Sequence, residues 1–88
     1  MIKNVKGSRP PLLAAQIRAA RALLRWSAEE LARASALGAN TIRRAEVAEG
    51  ATALTAANDR AIRKALEEAG VEFIDENGGG AGVRLRRS

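Results

Sequence analysis

Trp26 to Glu46 reads WSAEELARASALGANTIRRAE, and this stretch decides the fold. Ser27 followed by Glu30 is a capping box: the serine hydroxyl accepts an amide of the first turn while the glutamate reaches back to the cap's own N–H. The helix it opens spans about Ala28 to Ser35, with Leu31 and Ala32 facing inward. Glu29 and Arg33 are spaced to pair along its outer face. A break follows at Ala36, Leu37 and Gly38, and a further short helix from about Ala39 to Val47 turns Ile42 and Ala45 inward. Helices of two turns do not hold themselves in water, because nucleation is costly. Both must pack on other elements. Two short helices joined by a tight turn, the second rich in Arg and Asn, form a helix-turn-helix.

Upstream, Leu13, Ile17, Ala20 and Leu24 recur at helical spacing and predict a helix over Leu12 to Leu24. Arg18, Arg21 and Arg25 fall on its other faces. Pro11 lies near its start, where a missing N–H is harmless. Residues 1–11, with Lys3, Lys6 and Arg9, read as a flexible basic arm. Trp26 is expected to plug the core between the first two helices. Downstream, Gly50 ends the central motif and Thr55 caps a longer helix to about Ala69. Ile62, Ala65, Leu66 and Ala69 form its apolar stripe, and Gly70 stops it. The period then changes to two: Val71 to Asp75 and Val83 to Arg86 read as strands joined by a glycine-rich loop. The fold expected is mainly α, a bundle of about four helices over 12–70 followed by a C-terminal β-hairpin over 71–88.

Residues 26–46 resemble the helix-turn-helix of the Cro/C1 (XRE-like) repressor family of bacteria and phages. Glu30-Leu31-Ala32 and Thr41-Ile42 stand at the family spacing, and Glu46 takes the place of the acidic residue that closes the recognition helix. The resemblance covers about a quarter of the chain. It implies a lambda-repressor-like bundle with Ala39, Asn40 and Arg44 directed at base edges in the major groove. Asn40 suits adenine, Arg44 suits guanine O6 and N7, and Ala39 offers a methyl to thymine. By the same resemblance Ser27, Ala28, Gly38, Thr41 and Arg43 meet the DNA backbone, with the amides of Ser27 and Ala28 as phosphate donors. Arg21 and Glu46 match a pair that ties the first helix to the recognition helix. Two positions depart from the family pattern: Ala36 stands where glycine is usual, and Gly38 where serine often caps the recognition helix. A positive φ at Ala36 would cost roughly 1 kcal/mol or more.

The composition fits a binding protein. Cysteine and histidine are both absent, which removes disulfides, the usual zinc ligands and the commonest general base. No enzyme, metal or cofactor is expected. Ser35 and Thr41 have no base to activate them, and no Gly-Lys-Ser/Thr follows the glycine loop at residues 78–82, so it is not a phosphate loop. Net charge is +5, and all the excess lies in the first two-thirds: nine basic against four acidic residues from Met1 to Ala56, then six of each. That is the footprint of a phosphate-binding surface. No secretory signal and no membrane span are legible, so a cytoplasmic, nucleoid-associated protein is expected.

The expected partner is double-stranded DNA, read on a palindrome by a homodimer acting as a transcriptional repressor. Val71, Phe73, Val83 and Leu85 either cover the last helix or pair with the hairpin of a second subunit. Two alternatives remain from sequence: an antitoxin-like regulator that also binds a partner protein, and an interaction module without DNA binding.

Overall fold

A computed structural model describes residues 9–87. Most of the expected arm over 1–11, with Lys3 and Lys6, lies outside them. The chain forms α1 (Ala14–Leu24), α2 (Ala28–Ser35), α3 (Ala39–Glu46), α4 (Ala56–Glu68), β1 (Val71–Ile74) and β2 (Gly82–Leu85). It is a small, mainly helical domain with one antiparallel hairpin. Among the described residues, no helix is long and apolar enough to cross a membrane.

The core is built from the positions that the helical and strand periods select. Leu12, Ile17, Leu31, Ile42, Ile62, Leu66 and Val71 are fully buried, and Phe73 is nearly so. Each such side chain contributes about 1.5–3 kcal/mol of burial free energy. The two short helices pack on each other, α2 leans on α4, and α1 contacts both α3 and the hairpin. Trp26 packs half-buried against this core from its edge instead of plugging it.

The first helix begins later than the sequence period suggests. Leu12, not Leu13, enters the core, because the backbone before Ala14 is extended and runs beside the loop after α3. Leu12 accepts the Thr52 N–H at 3.1 Å, and Ala14 donates to Gly50 at 2.9 Å. The Leu12 N–H is itself held by Asp59 at 2.8 Å. Residues 9–11 are thus fastened over α4: Arg63 donates to the Pro10 carbonyl at 2.8 Å, and Arg9 pairs with Glu67 at 2.9 Å. Gln16 joins this end of α1 to the hairpin, accepting the Leu13 N–H and donating to the Gly82 carbonyl.

The hairpin pairs Val71 with Leu85, Glu72 with Arg84, and Phe73 with Val83. Val71 and Phe73, candidates for a subunit contact, are instead committed to this chain's own core. The reason is the alternation of the strand: β1 lies on α4 and α1, so the face carrying both residues has nowhere to go but inward. Leu85 remains exposed at 47%, and Val83 is half-buried.

Helices α1 and α2 end in the same way. Arg25 (φ 58°) and Ala36 (φ 61°) adopt the left-handed conformation without being glycine. The next residue donates back to the helix in each case, Trp26 to the Arg21 carbonyl at 2.9 Å and Leu37 to the Ala32 carbonyl at 3.0 Å. Both Trp26 and Leu37 pack against the core. An apolar residue just beyond the helix end, drawn inward, holds its predecessor in a conformation glycine would accept more readily. Ala36 is exposed, so its methyl packs on nothing that glycine would lose. Ala36→Gly is therefore expected to raise stability by about 0.5–1 kcal/mol, the relief of strain less glycine's extra chain entropy. Urea unfolding measures it; a less stable variant would show that the left-handed turn carries no strain.

Candidate nucleic-acid interface

The period of α3 sorts its residues cleanly. Ile42, Ala45 and Glu46 point inward, at 0%, 4% and 7% exposure. Asn40, Arg43, Arg44 and Val47 are exposed and recur at i, i+3, i+4 and i+7, which makes them one outward row. Thr41 and Ala39 lie half-buried at its margins, and Ala39 packs partly on the core, so its methyl is only partly presented. Val47 was not anticipated as part of this row. At 78% exposed it is a large apolar side chain in open solvent. Its spacing from Asn40 was the available signal.

The row is held in place from behind. Arg21 donates through Nε to one oxygen of Glu46 at 2.6 Å and through Nη2 to the other at 2.7 Å. Its remaining Nη1 reaches the Trp26 carbonyl at 2.8 Å. The expected pair between the first helix and the recognition helix is thus a two-pronged fork. Its hydrogen bonds to Glu46 raise the Arg21 pKa above the ordinary value, against the cost of burial. Arg18 adds a hydrogen bond to the Glu46 backbone carbonyl, at the unsatisfied C-terminal end of α3.

Two helix N-termini carry open backbone donors. At α2, the Ser27 hydroxyl accepts the Glu30 N–H at 3.0 Å, and the Ser27 N–H is taken by the Glu30 carboxylate at 2.6 Å. The Ser27 amide is therefore not available to phosphate, contrary to the sequence expectation; the capping box consumes it. The Ala28 amide has no partner among the described residues. At α3, Gly38 supplies no side-chain cap, and the amides of Ala39 and Asn40 stay open among the described residues. A glycine cap leaves this terminus unscreened toward an anion.

Arg43, expected at the DNA backbone, forms an ion pair with Glu29 across the turn between α2 and α3. Glu29 consequently does not pair with Arg33, although that residue lies one helical turn away on its own helix. The Arg43 Nη1 also contacts the Asn40 Oδ1 at 3.4 Å, a long hydrogen bond. Nothing in the sequence marks a contact between residues fourteen apart; it depends on the crossing of the two helices. Of the described cations from Arg9 to Arg44, Arg9, Arg21 and Arg43 are in ion pairs, and Arg18, Arg25, Arg33 and Arg44 are in none among the described residues.

The Arg21–Glu46 fork is a partly buried pair, its side chains 24% and 8% exposed. Removing one partner of a buried pair leaves a stranded charge and costs about 3–5 kcal/mol when burial is complete. With Arg21 partly open, Glu46→Ala is expected to destabilise by about 2–3 kcal/mol. Denaturant unfolding of Glu46→Ala, Arg21→Met and the double variant measures the coupling; simple additivity would mean that the fork contributes nothing as a pair.

Compared with known protein families the chain matches none, and it matches no curated protein.

Proposed function

We propose that this chain is a sequence-specific duplex-DNA-binding transcriptional regulator with a lambda-repressor-like arrangement, a cytoplasmic repressor that meets a palindromic operator as a homodimer. The observation that carries the reading is the outward row of α3, with Asn40, Arg44 and Val47 exposed on a helix anchored from behind by Ile42, Ala45 and the Arg21–Glu46 fork. An eight-residue helix is about 12 Å long, which suits a major groove about 12 Å wide. In that groove Arg44 forks onto guanine, Asn40 onto adenine, and Val47 touches a thymine methyl. The open amides of Ala28, Ala39 and Asn40 receive phosphates, with Thr41 and Gly38 lining the approach. The reading is one of binding, not catalysis.

The hairpin supports the homodimer part of this reading. A two-stranded hairpin has open edges, and Leu85 leaves an apolar side chain on the second strand. Pairing two hairpins across a two-fold axis would cover both, and a palindromic operator requires the two recognition helices to lie about 34 Å apart, one helical turn of DNA.

The test is selection of bound duplexes from a random pool at near-physiological salt, with the mass in solution recorded alongside. An enriched palindrome and a dimeric mass support the reading; no enrichment sinks it. Within the selected site, Arg44→Ala is expected to weaken binding by about 1–3 kcal/mol and relax the base preference at one position per half-site. A uniform loss over all sequences would make Arg44 a phosphate contact and not a reader.

A further inference from the structure

We infer that Glu29 is a specificity-determining positioning residue of the DNA-facing surface, an inference that rests on the duplex-DNA reading above. It is an odd residue to find there. A carboxylate in the first turn of α2 suits the helix dipole, but beside an approaching phosphate backbone it is repulsive. Its partner explains it. Glu29 binds the guanidinium of Arg43, which stands in the outward row of α3 between Asn40 and Arg44.

Two consequences follow from that ion pair. The first is a cancellation of charge. A free arginine at this position would neutralise a phosphate on any duplex, and such contacts supply essentially all of the sequence-independent affinity. With Arg43 held by Glu29, Arg44 is the one cation of the row without an ion pair among the described residues. Sequence-independent affinity falls alike on every duplex, so the base-edge contacts make up a larger share of the affinity that remains.

The second consequence is a relay that orients a reader. Glu29 holds Arg43, and Arg43 Nη1 lies 3.4 Å from Asn40 Oδ1. An amide oxygen has two acceptor sites, so one remains for a base. Reading adenine requires Asn40 to accept from N6–H and donate to N7, hence one particular amide orientation. The reversed amide would set its NH2 against the guanidinium, donor against donor. Glu29 thus favours the adenine-reading orientation of Asn40 through Arg43, without touching DNA itself. Both partners are about half exposed, at 50% and 53% of side-chain area, so the pair contributes little to folding, and its removal tests binding.

The experiment compares wild type, Glu29→Gln and Glu49→Gln on the wild type's own selected duplex and on a scrambled one. Glu49 is exposed and lies outside the row, so its variant matches the change in net charge. Glu29→Gln is expected to bind scrambled duplex more tightly than wild type. Its log K against log salt should be steeper by about one unit, so that this advantage shrinks about threefold between about 50 and 200 mM salt. Base preference should broaden at the Asn40 position, and Glu49→Gln should show neither effect. Arg43→Ala leaves the Glu29 carboxylate uncompensated beside the phosphates, so it should weaken binding to both duplexes without steepening the salt slope, while broadening the same position. A selective wild type whose slope and base preference survive Glu29→Gln overturns this inference alone, as does an equal response from Glu49→Gln. A wild type that binds no duplex at low salt overturns it together with the DNA reading.

Discussion

The rest of this small domain depends on how Glu46 is held. Helix α3 has eight residues, too few to persist alone, and its buried apolar anchors are Ile42 and Ala45, with Ala39 packed partly beside them. Burial of two such side chains fixes depth but leaves the helix free to roll. Glu46 removes that freedom. Its carboxylate is nearly buried and must be paired, and the planar guanidinium of Arg21 satisfies both oxygens only in one orientation. Arg18 on the Glu46 carbonyl adds a second line of restraint from the same helix. Rotating α3 would strand the charge. The face that bears Asn40, Arg44 and Val47 thus points outward, with Ile42, Ala45 and the ion pair on the opposite side.

A second fastening involves Arg63 and makes one core of what would otherwise be a bundle with a loose hairpin. This arginine is buried to 7% exposure, pairs with Asp59, donates to the Pro10 carbonyl, and lies 5.4 Å from the centre of the Phe73 ring. The segment before α1, helix α4 and the hairpin meet on this one side chain. The arrangement accounts for the fate of β1. Once Phe73 stacks on Arg63 and Val71 enters the core, the hairpin serves first as the floor of α1 and α4. Of its apolar side chains, Leu85 is the one left exposed. In a chain of 88 residues, apolar area is scarce, and the monomer takes most of it.

Charge is distributed with the same economy. A net +5 concentrated in the first two-thirds suggests a broad basic surface, yet the guanidiniums are largely engaged within the protein. Arg18 and Arg21 serve Glu46, Arg9 serves Glu67, and Arg43 serves Glu29. What remains facing out near α3 is a small set of cations with open amides between them. The paired carboxylates are already counted in the net charge, so among the described residues of this region the excess is carried by Arg18, Arg25, Arg33 and Arg44, which are in no ion pair.

Sequence alone determined the elements and their inner faces. The capping box at Ser27 and Glu30, the threonine cap at Thr55 and the stop at Gly70 are local chemistry, decided within one or two turns of chain. The burial of Ile17, Leu31, Ile42, Ile62 and Leu66 follows from periodicity, which is equally local. The Arg21–Glu46 pair was legible only through the family resemblance of the central motif. Tertiary structure decided the rest. Leu12 replaced Leu13 in the core because a strand-like contact with the loop at Ala51 sets the backbone before α1. Glu29 chose Arg43 over Arg33 because the crossing of α2 and α3 brings the distant guanidinium within reach. Val71 and Phe73 turned inward because the hairpin lies on two helices. In each case the competing partners are chemically equivalent in sequence, and only the distance between elements, which no local pattern encodes, separates them.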